Sequence, residues 1–363
     1  MKLFALYLPQ FHTIPENDEW WGEGFTEWTN VKRARPLFSG HIQPKHPLGN
    51  EYYNLLDKET VAKQTELMKH YGIDGMIYYH YYFNGNKLLE RPAENLLNWK
   101  DIDQKFFFCW ANHSWKRTWN GTSEILMEQA YGKQEDWRKH FDYLLPFFLD
   151  ARYEKKDNRP VFMIYDASFE VKKEMMYYFD KWCKESGFEG IYCIEECFDI
   201  RKNKFSVFKS NISDVTEKIY LTEPLIGKLE TYYSNILIRI YRKIISELNK
   251  SGYIKKVEVF DGNKIYKSMI KRRKQFQETI PGVFFEWDNT PRHGFRGFVI
   301  TPPRKDIFFE YMNEIKESEY VIINAWNEWA EGMVLEPSEE LKDKYLNWIL
   351  QWKDEEVMDE TCD

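Results

Sequence analysis

The sequence predicts an α/β protein built as one (β/α)8 TIM barrel, with extended βα loops and an inserted basic helical segment. Short runs of apolar, β-branched and aromatic residues recur along the 363 residues, and segments with helical periodicity separate them. The runs are apolar on both faces, which is typical of parallel strands that helices cover on each side. Eight such runs over this length fit one barrel, and a doubly wound open sheet is the alternative.

Each predicted strand is a short β-forming run bounded by polar or turn residues. In chain order the strands cover 2–8 (KLFALYL), 75–82 (GMIYYHYY), 105–111 (KFFFCWA), 160–165 (PVFMIY), 190–195 (GIYCIE), 218–222 (KIYLT), 282–287 (GVFFEW) and 320–326 (YVIINAW). Helical periodicity predicts helices over 58–71, 134–150, 170–186, 225–250 and 304–317. The barrel is expected to occupy 1–350 as one domain, and 351–363 is expected to be an acidic tail.

The charge balance argues against nucleic acid as a partner. The chain has 51 Lys and Arg residues against 58 Asp and Glu residues, a formal net charge of −7, so it attracts a phosphate backbone weakly. No run approaches the roughly 18 apolar residues of a membrane-spanning helix. The first apolar stretch stops at Pro9, too early for a signal peptide, and the 5 cysteines form no CxxC pair. We therefore expect a cytoplasmic protein in a reducing compartment.

Aromatic residues are unusually frequent, with 14 Trp, 24 Tyr and 26 Phe making up 18% of the chain. Trp and Tyr combine a large apolar ring with a polar edge, which suits a flat ligand whose CH and OH groups alternate, as in a sugar. The alternative is that the rings fill a large core. Composition alone leaves both interpretations open.

One segment differs in charge from the rest. Residues 201–280 contain 18 Lys and Arg against 8 Asp and Glu, and 225–280 is interpreted as a basic insertion. Helical spacing places Leu229, Tyr233, Ile236, Ile240, Ile244 and Leu248 on one stripe, with Lys228, Arg239, Arg242 and Lys243 off it. Such a helix suits peripheral contact with an anionic membrane or with a lipid-linked substrate. The alternative is an ordinary barrel helix with a solvated basic face.

Polar and aromatic residues collect where the predicted strands end, and in a (β/α)8 barrel the loops after the strands converge on one rim. The candidate binding residues in chain order are Tyr7, Gln10, His12, His80, Tyr82, Trp110, Asn112, His113, Trp115, Trp287, Asp288, Arg292, Trp326 and Asn327. Trp20, Trp21 and Trp119 are further candidates for stacking on a ring. Asp166 follows the fourth strand, Glu195 and Glu196 stand at the end of the fifth, and Glu223 follows the sixth. Their convergence predicts one site for a polar, ring-shaped ligand.

The eighth strand ends in two carboxylates three positions apart, Glu328 and Glu331. On a continued strand they would point to opposite faces, whereas across a turn, with which Gly332 is compatible, they come to the same side. Glycosidic-bond chemistry needs two neighbouring carboxyl groups, one to donate a proton and one to act as base or nucleophile. An ExxE spacing also occurs on solvated helices, but here Trp326 and Trp329 enclose the pair. We therefore expect Glu328 and Glu331 to be catalytic.

Other chemistries are less well indicated. The sequence has no GxSxG, Walker, GxGxxG or HExxH motif, and His12, His80 and His113 have no diagnostic metal-ligand spacing. Asp101-Ile102-Asp103 resembles the DxD with which many nucleotide-sugar transferases hold a divalent ion, but it precedes the third strand and so belongs to the opposite rim. We expect no metal and no cofactor.

Several long motifs resemble a known family. They are LFALYLPQFHTIPENDEWWGEGFTEWTNVKRARPLFSGHIQPKHPLG, YYHYYFNG, FFFCWANHSWKRTWNG, FFEWDNTPR and INAWNEWAEGMVLEP. These are similar to the WbsX-like family of polysaccharide-biosynthesis proteins, which looks related to the family 99-like glycoside hydrolases, the endo-α-1,2-mannosidases and mannanases. The match runs from residue 1 to about 337. The resemblance implies a (β/α)8 barrel and a carbohydrate substrate.

In the related mannosidases, the segment that matches NEWAE carries both catalytic carboxylates. The resemblance implies that Glu331 is the general acid/base and that Glu328 deprotonates the substrate's own 2-hydroxyl, which attacks the anomeric carbon and leads to retention of configuration. Two positions depart from the family pattern, since His113 replaces an acidic residue and Asp166 stands where an Arg-Pro-type motif is expected. These departures indicate altered subsite specificity and put activity itself in question.

The sequence supports three functional hypotheses. The leading one is a retaining endo-glycosidase-like enzyme, a hydrolase or transglycosidase of surface polysaccharide metabolism, acting on an oligo- or polysaccharide that is free or lipid-linked. The second is a glycosyltransferase of O-antigen or capsular polysaccharide biosynthesis that uses an activated sugar donor. The third is a catalytically silent glycan-binding protein.

Overall fold

A computed structural model describes residues 1–117, 124–200 and 216–360. Within these residues, eight parallel strands form the wall of a barrel: β1 (Lys2–Tyr7), β2 (Gly75–Phe83), β3 (Phe106–Trp110), β4 (Arg159–Ile164), β5 (Tyr192–Cys197), β6 (Thr216–Leu221), β7 (Gly282–Val283) and β8 (Tyr320–Ile323). Their order in the sheet is β6-β5-β4-β3-β2-β1-β8-β7. All eight predicted strands are present, with shifted bounds.

The ring closes between β6 and Ile280, two residues before β7 begins at Gly282. The carbonyl of Ile280 accepts from the N–H of Leu221 at 3.1 Å, and the N–H of Ile280 donates to the carbonyl of Ile219 at 2.8 Å. The first and last strands are neighbours, with Lys2 opposite Tyr320. Strands that follow each other in the chain are thus neighbours around the whole ring, which confirms the (β/α)8 barrel over the doubly wound sheet.

The helices surround the wall and fill the loops. They are α1 (Pro15–Trp21), α2 (Glu27–Arg33), α3 (Lys58–His70), α4 (Arg91–Asn98), α5 (Gln134–Leu149), α6 (Lys172–Glu185), α7 (Leu225–Tyr233), α8 (Ile236–Lys250), α9 (Gly262–Arg273), α10 (Thr290–His293), α11 (Lys305–Ile315) and α12 (Lys344–Glu360). The single helix predicted over 225–250 is two helices, α7 and α8, because helical structure is interrupted at residues 234 and 235. The side chain of Asn235 caps the second helix by accepting from the N–H of Leu237 at 2.8 Å. Residues 351–360, predicted as part of a tail, continue α12.

The loops carry further short strands and 3-10 turns. The strands are Asn86–Leu88, Trp115–Lys116, Ile125–Met127, Lys155–Lys156, Glu258–Phe260, Trp287–Asp288, Phe298–Ile300, Asn327–Glu328 and Met333–Val334, and the turns are Leu48–Asn50, Gly294–Arg296 and Trp329–Glu331. The last residues of the runs predicted over 282–287 and 320–326 therefore leave the wall. On the rim, Trp287–Asp288 pairs antiparallel with Phe298–Ile300, and Asn327–Glu328, just after the second run, pairs antiparallel with Met333–Val334.

Aromatic rings make up much of the hydrophobic core. Core packing was one of the two explanations that the amino-acid composition allowed for the many aromatic residues. Trp326 and Trp329 are at most 1% exposed, and Trp352 on α12 is 2% exposed. The packing is close enough to require glycine in the wall, because a Cβ on Gly75 would lie 2.3 Å from the ring of Phe4. Many of the rings therefore serve the fold, and the site uses a smaller set of them.

The basic segment has a buried part and an exposed part. Lys228 is buried on α7, with its ammonium 3.6 Å from the centroid of the Phe298 ring, and Arg242 on α8 turns inwards to pair with Glu258. The structure corrects the predicted apolar stripe. Leu229 and Tyr233 lie on α7, and the other predicted stripe residues lie on α8, after the interruption of the helix before Asn235. The apolar side chains that α8 exposes along this stripe are Ile236, Leu237, Ile240, Tyr241, Ile244 and Leu248.

Candidate active site

A cavity of about 770 Å³ opens at the carboxyl ends of the barrel strands. This is the rim on which the loops after the strands converge, as the sequence predicted. The rings of Tyr79, Tyr81, Tyr165 and Trp287 form part of its wall, together with several carboxyl groups. The cavity thus combines flat apolar surfaces with acidic groups.

The two predicted catalytic carboxylates lie on one tight turn at this cavity. The chain from 327 to 334 forms a small antiparallel hairpin that a 3-10 turn closes. Gly332 ends the turn with a φ of 60°, and a Cβ there would lie 2.9 Å from Cβ of Asp288, so both conformation and space favour glycine. Because the chain turns rather than continuing as a strand, Glu328 and Glu331 both face the cavity.

One guanidinium joins these carboxylates. Arg292, on α10, lies 3.3 Å from Oε2 of Glu328 and forms an ion pair with Glu331. Its Nε also donates to Oε1 of Glu27 at 3.0 Å, and Glu27 is fully buried at the start of α2, in the loop after β1. Three carboxylates from opposite ends of the chain therefore share one arginine.

Burial and crowded negative charge alter the proton affinities of this group. Burial raises the pKa of Glu328 to about 8, and the charges of Glu331 and Glu27 add to the rise while Arg292 opposes it. Burial also raises the pKa of Glu27 against the effect of Arg292. Burial alone would lower the pKa of Arg292, but the three carboxylates hold it above its usual value. Glu328 is thus a stronger base than a free glutamate, and Arg292 stays charged.

Glu331 is held on both of its oxygens. Arg292 binds Oε1, and Nε1 of Trp287 donates to Oε2 at 3.0 Å. Behind this tryptophan, the ammonium of Lys228 lies 5.1 Å from the ring centroid, and burial lowers the pKa of Lys228 to about 8. The two hydrogen bonds fix the Glu331 carboxyl at the cavity wall.

The predicted site residues that line the cavity are Gln10, Trp21, Asn112, His113, Trp115, Asp166, Glu196, Glu223, Trp287, Arg292, Glu328 and Glu331. Asn112 supports the end of β4, since it exchanges two hydrogen bonds of 2.7 Å with the backbone of Asp166. His113 packs on Tyr165 with ring centroids 4.9 Å apart, and burial lowers its pKa. Both departures from the family pattern, His113 and Asp166, therefore face the cavity. Trp119, a predicted stacking residue, lies outside the described residues.

Other predicted residues are buried and do not line this cavity. Tyr7 donates to Gln64 at 2.6 Å, and Asn327 accepts from the N–H of Leu8 at 2.7 Å. Asp288 lies 2.7 Å from both His41 and Gln43. The remaining members of this group, buried away from the cavity, are His12, His80, Tyr82, Trp110 and Trp326.

Two residues that line the cavity, Tyr79 and Tyr81, were missed in the sequence analysis, although the geometry of a strand could have indicated them. Successive side chains of a strand point to opposite faces. In β2, Tyr79 and Tyr81 line the cavity, whereas His80 and Tyr82 face α5. There His80 lies 2.9 Å from a nitrogen of His140, and Tyr82 stacks on the same ring at 3.9 Å. Because side chains alternate between the two faces along GMIYYHYY, Tyr79 and Tyr81 share one face, and His80 and Tyr82 share the other.

The described residues contain no group of three or more His, Cys, Asp or Glu side chains suited to hold a metal ion. The DxD-like residues are exposed, and Asp101 pairs with Lys58 at 2.7 Å while Asp103 pairs with Lys69 at 2.6 Å. They precede β3 and lie away from the cavity. No helix in the described ranges is long and apolar enough to span a bilayer.

Comparisons with known proteins agree with this architecture. The family model described as glycosyltransferase WbsX matches residues 3–349. Two proteins called "Uncharacterized protein WxcX", from Xanthomonas campestris pv. campestris strains B100 and ATCC 33913, are 31% and 30% identical over 366 residues, covering 95% of this chain and 48% of each relative. The chain spans about half the length of these curated relatives.

Solved structures share the fold. A GH99 endo-alpha-mannosidase from Bacteroides thetaiotaomicron has a TM-score of 0.56 at 15% identity, covering 97% of this chain and 96% of that chain. A glycoside hydrolase-like protein has a TM-score of 0.57 at 13% identity, covering 98% and 93% of the two chains. At these identities the likeness concerns the fold alone. Because the family model spans nearly all of the sequence, the chain belongs to the glycosyltransferase WbsX family.

Proposed function

We propose that this chain is a retaining, endo-glycosidase-like enzyme of surface polysaccharide metabolism, which cleaves or transfers at glycosidic bonds with Glu328 and Glu331. The observation that carries the proposal is the meeting of both carboxylates on Arg292 at a cavity with aromatic walls. Glycosidic-bond chemistry needs such a pair. The family description and the fold shared with an endo-alpha-mannosidase support a carbohydrate substrate.

The two carboxyl groups have different tasks in this proposal. Glu328 removes the proton of the substrate's 2-hydroxyl, whose oxygen attacks the anomeric carbon, while Glu331 protonates the departing glycosidic oxygen. Water or an acceptor hydroxyl then opens the anhydro sugar and gives its proton to Glu331, while Glu328 returns its proton to the 2-oxygen. Two inversions at the anomeric carbon give net retention. The raised pKa of Glu328 suits a base that acts on a weakly acidic hydroxyl.

Glu331→Gln tests this proposal, because it keeps the shape of the side chain and removes its acid function. Wild type and variant are incubated with α-linked oligosaccharides, α-1,2-mannobiosides included, and NMR follows both turnover and product configuration. We expect turnover to fall by roughly 100-fold or more, with glycan binding retained in calorimetry. Glu278→Gln is the matched control, because the Glu278 side chain is 95% exposed.

The outcomes separate the hypotheses. Unchanged turnover in Glu331→Gln would remove the acid pair from the mechanism. Binding of glycans by the wild type without any turnover would favour a glycan-binding protein.

A glycosyltransferase is the second candidate, and the family description favours it. In that reaction Glu328 would act as base on the acceptor hydroxyl while a nucleotide leaves the donor sugar. Thermal shifts with nucleotide sugars, with and without Mg²⁺ or Mn²⁺, discriminate between the candidates. Stabilisation that requires both the nucleotide sugar and the ion would favour the transferase.

We further propose that α8 rests on an anionic membrane surface and brings the cavity to a lipid-linked glycan. Its apolar stripe, from Ile236 to Leu248, is exposed, and Arg239 and Lys243 follow one edge of that stripe. Basic residues beside an apolar stripe complement anionic headgroups, whereas they would repel the same face of a second copy. The helix contacts Gly294–Arg296, the turn directly after α10, so the stripe lies near the cavity side of the barrel.

Sedimentation with phosphatidylglycerol and phosphatidylcholine vesicles tests this contact. We expect binding to phosphatidylglycerol that the double variant Leu237→Asp, Ile244→Asp loses. Tyr177→Asp on α6 is the control, because Tyr177 is 59% exposed on another surface. Equal binding by the double variant would contradict the proposal, and a dimer that the double variant abolishes would assign the stripe to a second copy.

A further inference from the structure

The cavity has a second polar wall that the proposed mechanism leaves unused. It is formed by Glu196 at the end of β5, Thr222 just after β6 and Asn324 just after β8, all buried. Oγ1 of Thr222 donates to Oε1 of Glu196 at 2.8 Å, and Nδ2 of Asn324 donates to the carbonyl of Glu223 at 3.0 Å. Since Thr222 and Glu223 are consecutive, Glu196 and Asn324 are anchored to the same short stretch of backbone.

Each of these two side chains keeps one oxygen unpaired. Oε2 of Glu196 and Oδ1 of Asn324 have no hydrogen-bond partner among the described residues, although the two residues are only 6% and 7% exposed. Burial raises the pKa of Glu196 to about 8, with the hydrogen bond from Thr222 opposing the rise. At neutral pH the group is therefore mainly a carboxylic acid, which carries a donor hydrogen. The wall offers one donor and one acceptor that the protein does not satisfy itself.

Two tyrosine rings connect this wall with the acid pair. Tyr79 lies within electrostatic range of both Glu328 and Glu196, and Tyr165 within range of both Glu331 and Glu196. Both rings line the cavity. The two rings therefore lie close both to the acid pair and to the second wall.

We propose that Glu196 and Asn324 form a hydroxyl-binding subsite for a neutral sugar ring, with Glu196 as the donor and Asn324 as the acceptor. A sugar hydroxyl both donates and accepts, so neighbouring hydroxyls of one ring match a donor beside an acceptor. The inference rests on the proposed function, to which it adds a binding pair and a class of sugar.

The charges around the cavity select against acidic sugars. Among the described residues that line it, the cationic side chains are Lys116 and Arg292. Arg292 is occupied by three carboxylates, and Lys116 is exposed. Glu196 and Glu328 are mainly protonated at neutral pH, and the other acidic lining residues are Asp166, Glu223 and Glu331. The carboxylate of a uronic or sialic acid would approach these acidic groups with Arg292 already occupied, whereas a neutral ring brings no charge.

Calorimetry in a Glu331→Gln background measures this subsite apart from catalysis. The probes are α-1,2-mannobiose, methyl α-glucoside and methyl α-galactoside, together with the two corresponding methyl uronides. For the neutral probe that binds best, we expect Glu196→Ala to weaken binding about tenfold or more, and Glu196→Gln, which keeps a donor, to stay within about threefold. Glu195→Ala is the matched control, because Glu195 binds Lys172 at 2.8 Å outside the cavity lining. Thermal unfolding checks that each variant is folded.

Each outcome decides a different point. Equal affinity of folded Glu196→Ala and Glu195→Ala, or tighter binding of a uronide than of its neutral partner, overturns the subsite and leaves the acid pair standing. A Glu196→Gln variant as weak as Glu196→Ala overturns the donor role. Full turnover by Glu331→Gln, with binding still dependent on Glu196, overturns the acid pair alone. If no probe binds the wild type or the Glu331→Gln variant, the proposed function and the subsite fall together.

Discussion

Replacing Arg292 by Met removes the cation that three carboxylates share. The Arg292 side chain is 12% exposed and that of Glu27 is 0% exposed, so solvent screens their ion pair little. Met keeps much of the apolar stem and leaves Glu27, Glu328 and Glu331 facing one another. Removing one partner of a buried ion pair costs about 3–5 kcal/mol. We expect the free energy of unfolding at neutral pH to fall by about that amount.

The loss should depend on pH, and its sign follows from proton binding. Burial keeps a proton on Glu328 up to about pH 8 already in the wild type. Without the guanidinium, the pKa of Glu27, which Arg292 lowers in the wild type, rises further, so the folded variant holds about one proton more than the folded wild type. A raised carboxyl pKa gives stability at low pH that is lost as the pH rises through the folded-state value. One proton corresponds to about 1.4 kcal/mol per pH unit, so the deficit relative to wild type should grow by about 3 kcal/mol from pH 5 to pH 7.

Urea denaturation at several pH values measures both numbers. Arg273→Met is the matched control, because Arg273 donates to the carbonyls of Phe276 and Thr279 and to the hydroxyl of Ser318. Its loss removes hydrogen bonds without leaving a group of carboxylates. A deficit in Arg292→Met that is as independent of pH as that of the control would refute the electrostatic reasoning.

Three further predictions concern single contacts. Trp287→Phe keeps an aromatic ring and loses the hydrogen bond to Glu331, the proposed general acid, so kcat should fall by roughly tenfold with less change in KM, and equal kinetics would contradict this role. Gly332→Ala should lower the free energy of unfolding by about 1–3 kcal/mol, whereas Gly294→Ala, at a φ of 57° but with open space around its Cβ, should cost less in the same urea titration. With an aryl glycoside, whose leaving group needs no proton from Glu331, the rate of turnover by Glu331→Gln should rise with pH towards about 8 as Glu328 loses its proton, and a rate that falls over this range would contradict its role as the base.

The wall of the barrel was predictable because it is encoded locally. Each strand is a continuous apolar run, and the spacing of eight runs by helices is enough to give the ring order. The ends of β7 and β8 were predicted too far along the chain, because Trp287 and Trp326 have the same β-forming composition as the wall although the chain has already turned onto the rim. The break before Asn235 was missed because neither Gly nor Pro marks it.

The site was predictable where its members are close in sequence. Glu328 and Glu331 share one turn, whereas Glu27 lies 265 positions from Arg292 and 20 positions beyond Tyr7, the last residue of β1. Composition locates the end of a strand but does not tell which face of the sheet each side chain points to. His80 was therefore predicted as a site residue from the sequence, whereas its neighbours Tyr79 and Tyr81 line the cavity. A shift of one residue exchanges the two faces of a strand.

Arg292 pairs with Glu27 near one end of the sequence and with Glu328 and Glu331 near the other. This arrangement of charges therefore requires the barrel to be closed. Residue 27 is synthesised 304 positions before residue 331. Its carboxylate therefore stays without Arg292 and the other two carboxylates until the last strand of the barrel has been made. The proposed active centre can be assembled only when the ring closes.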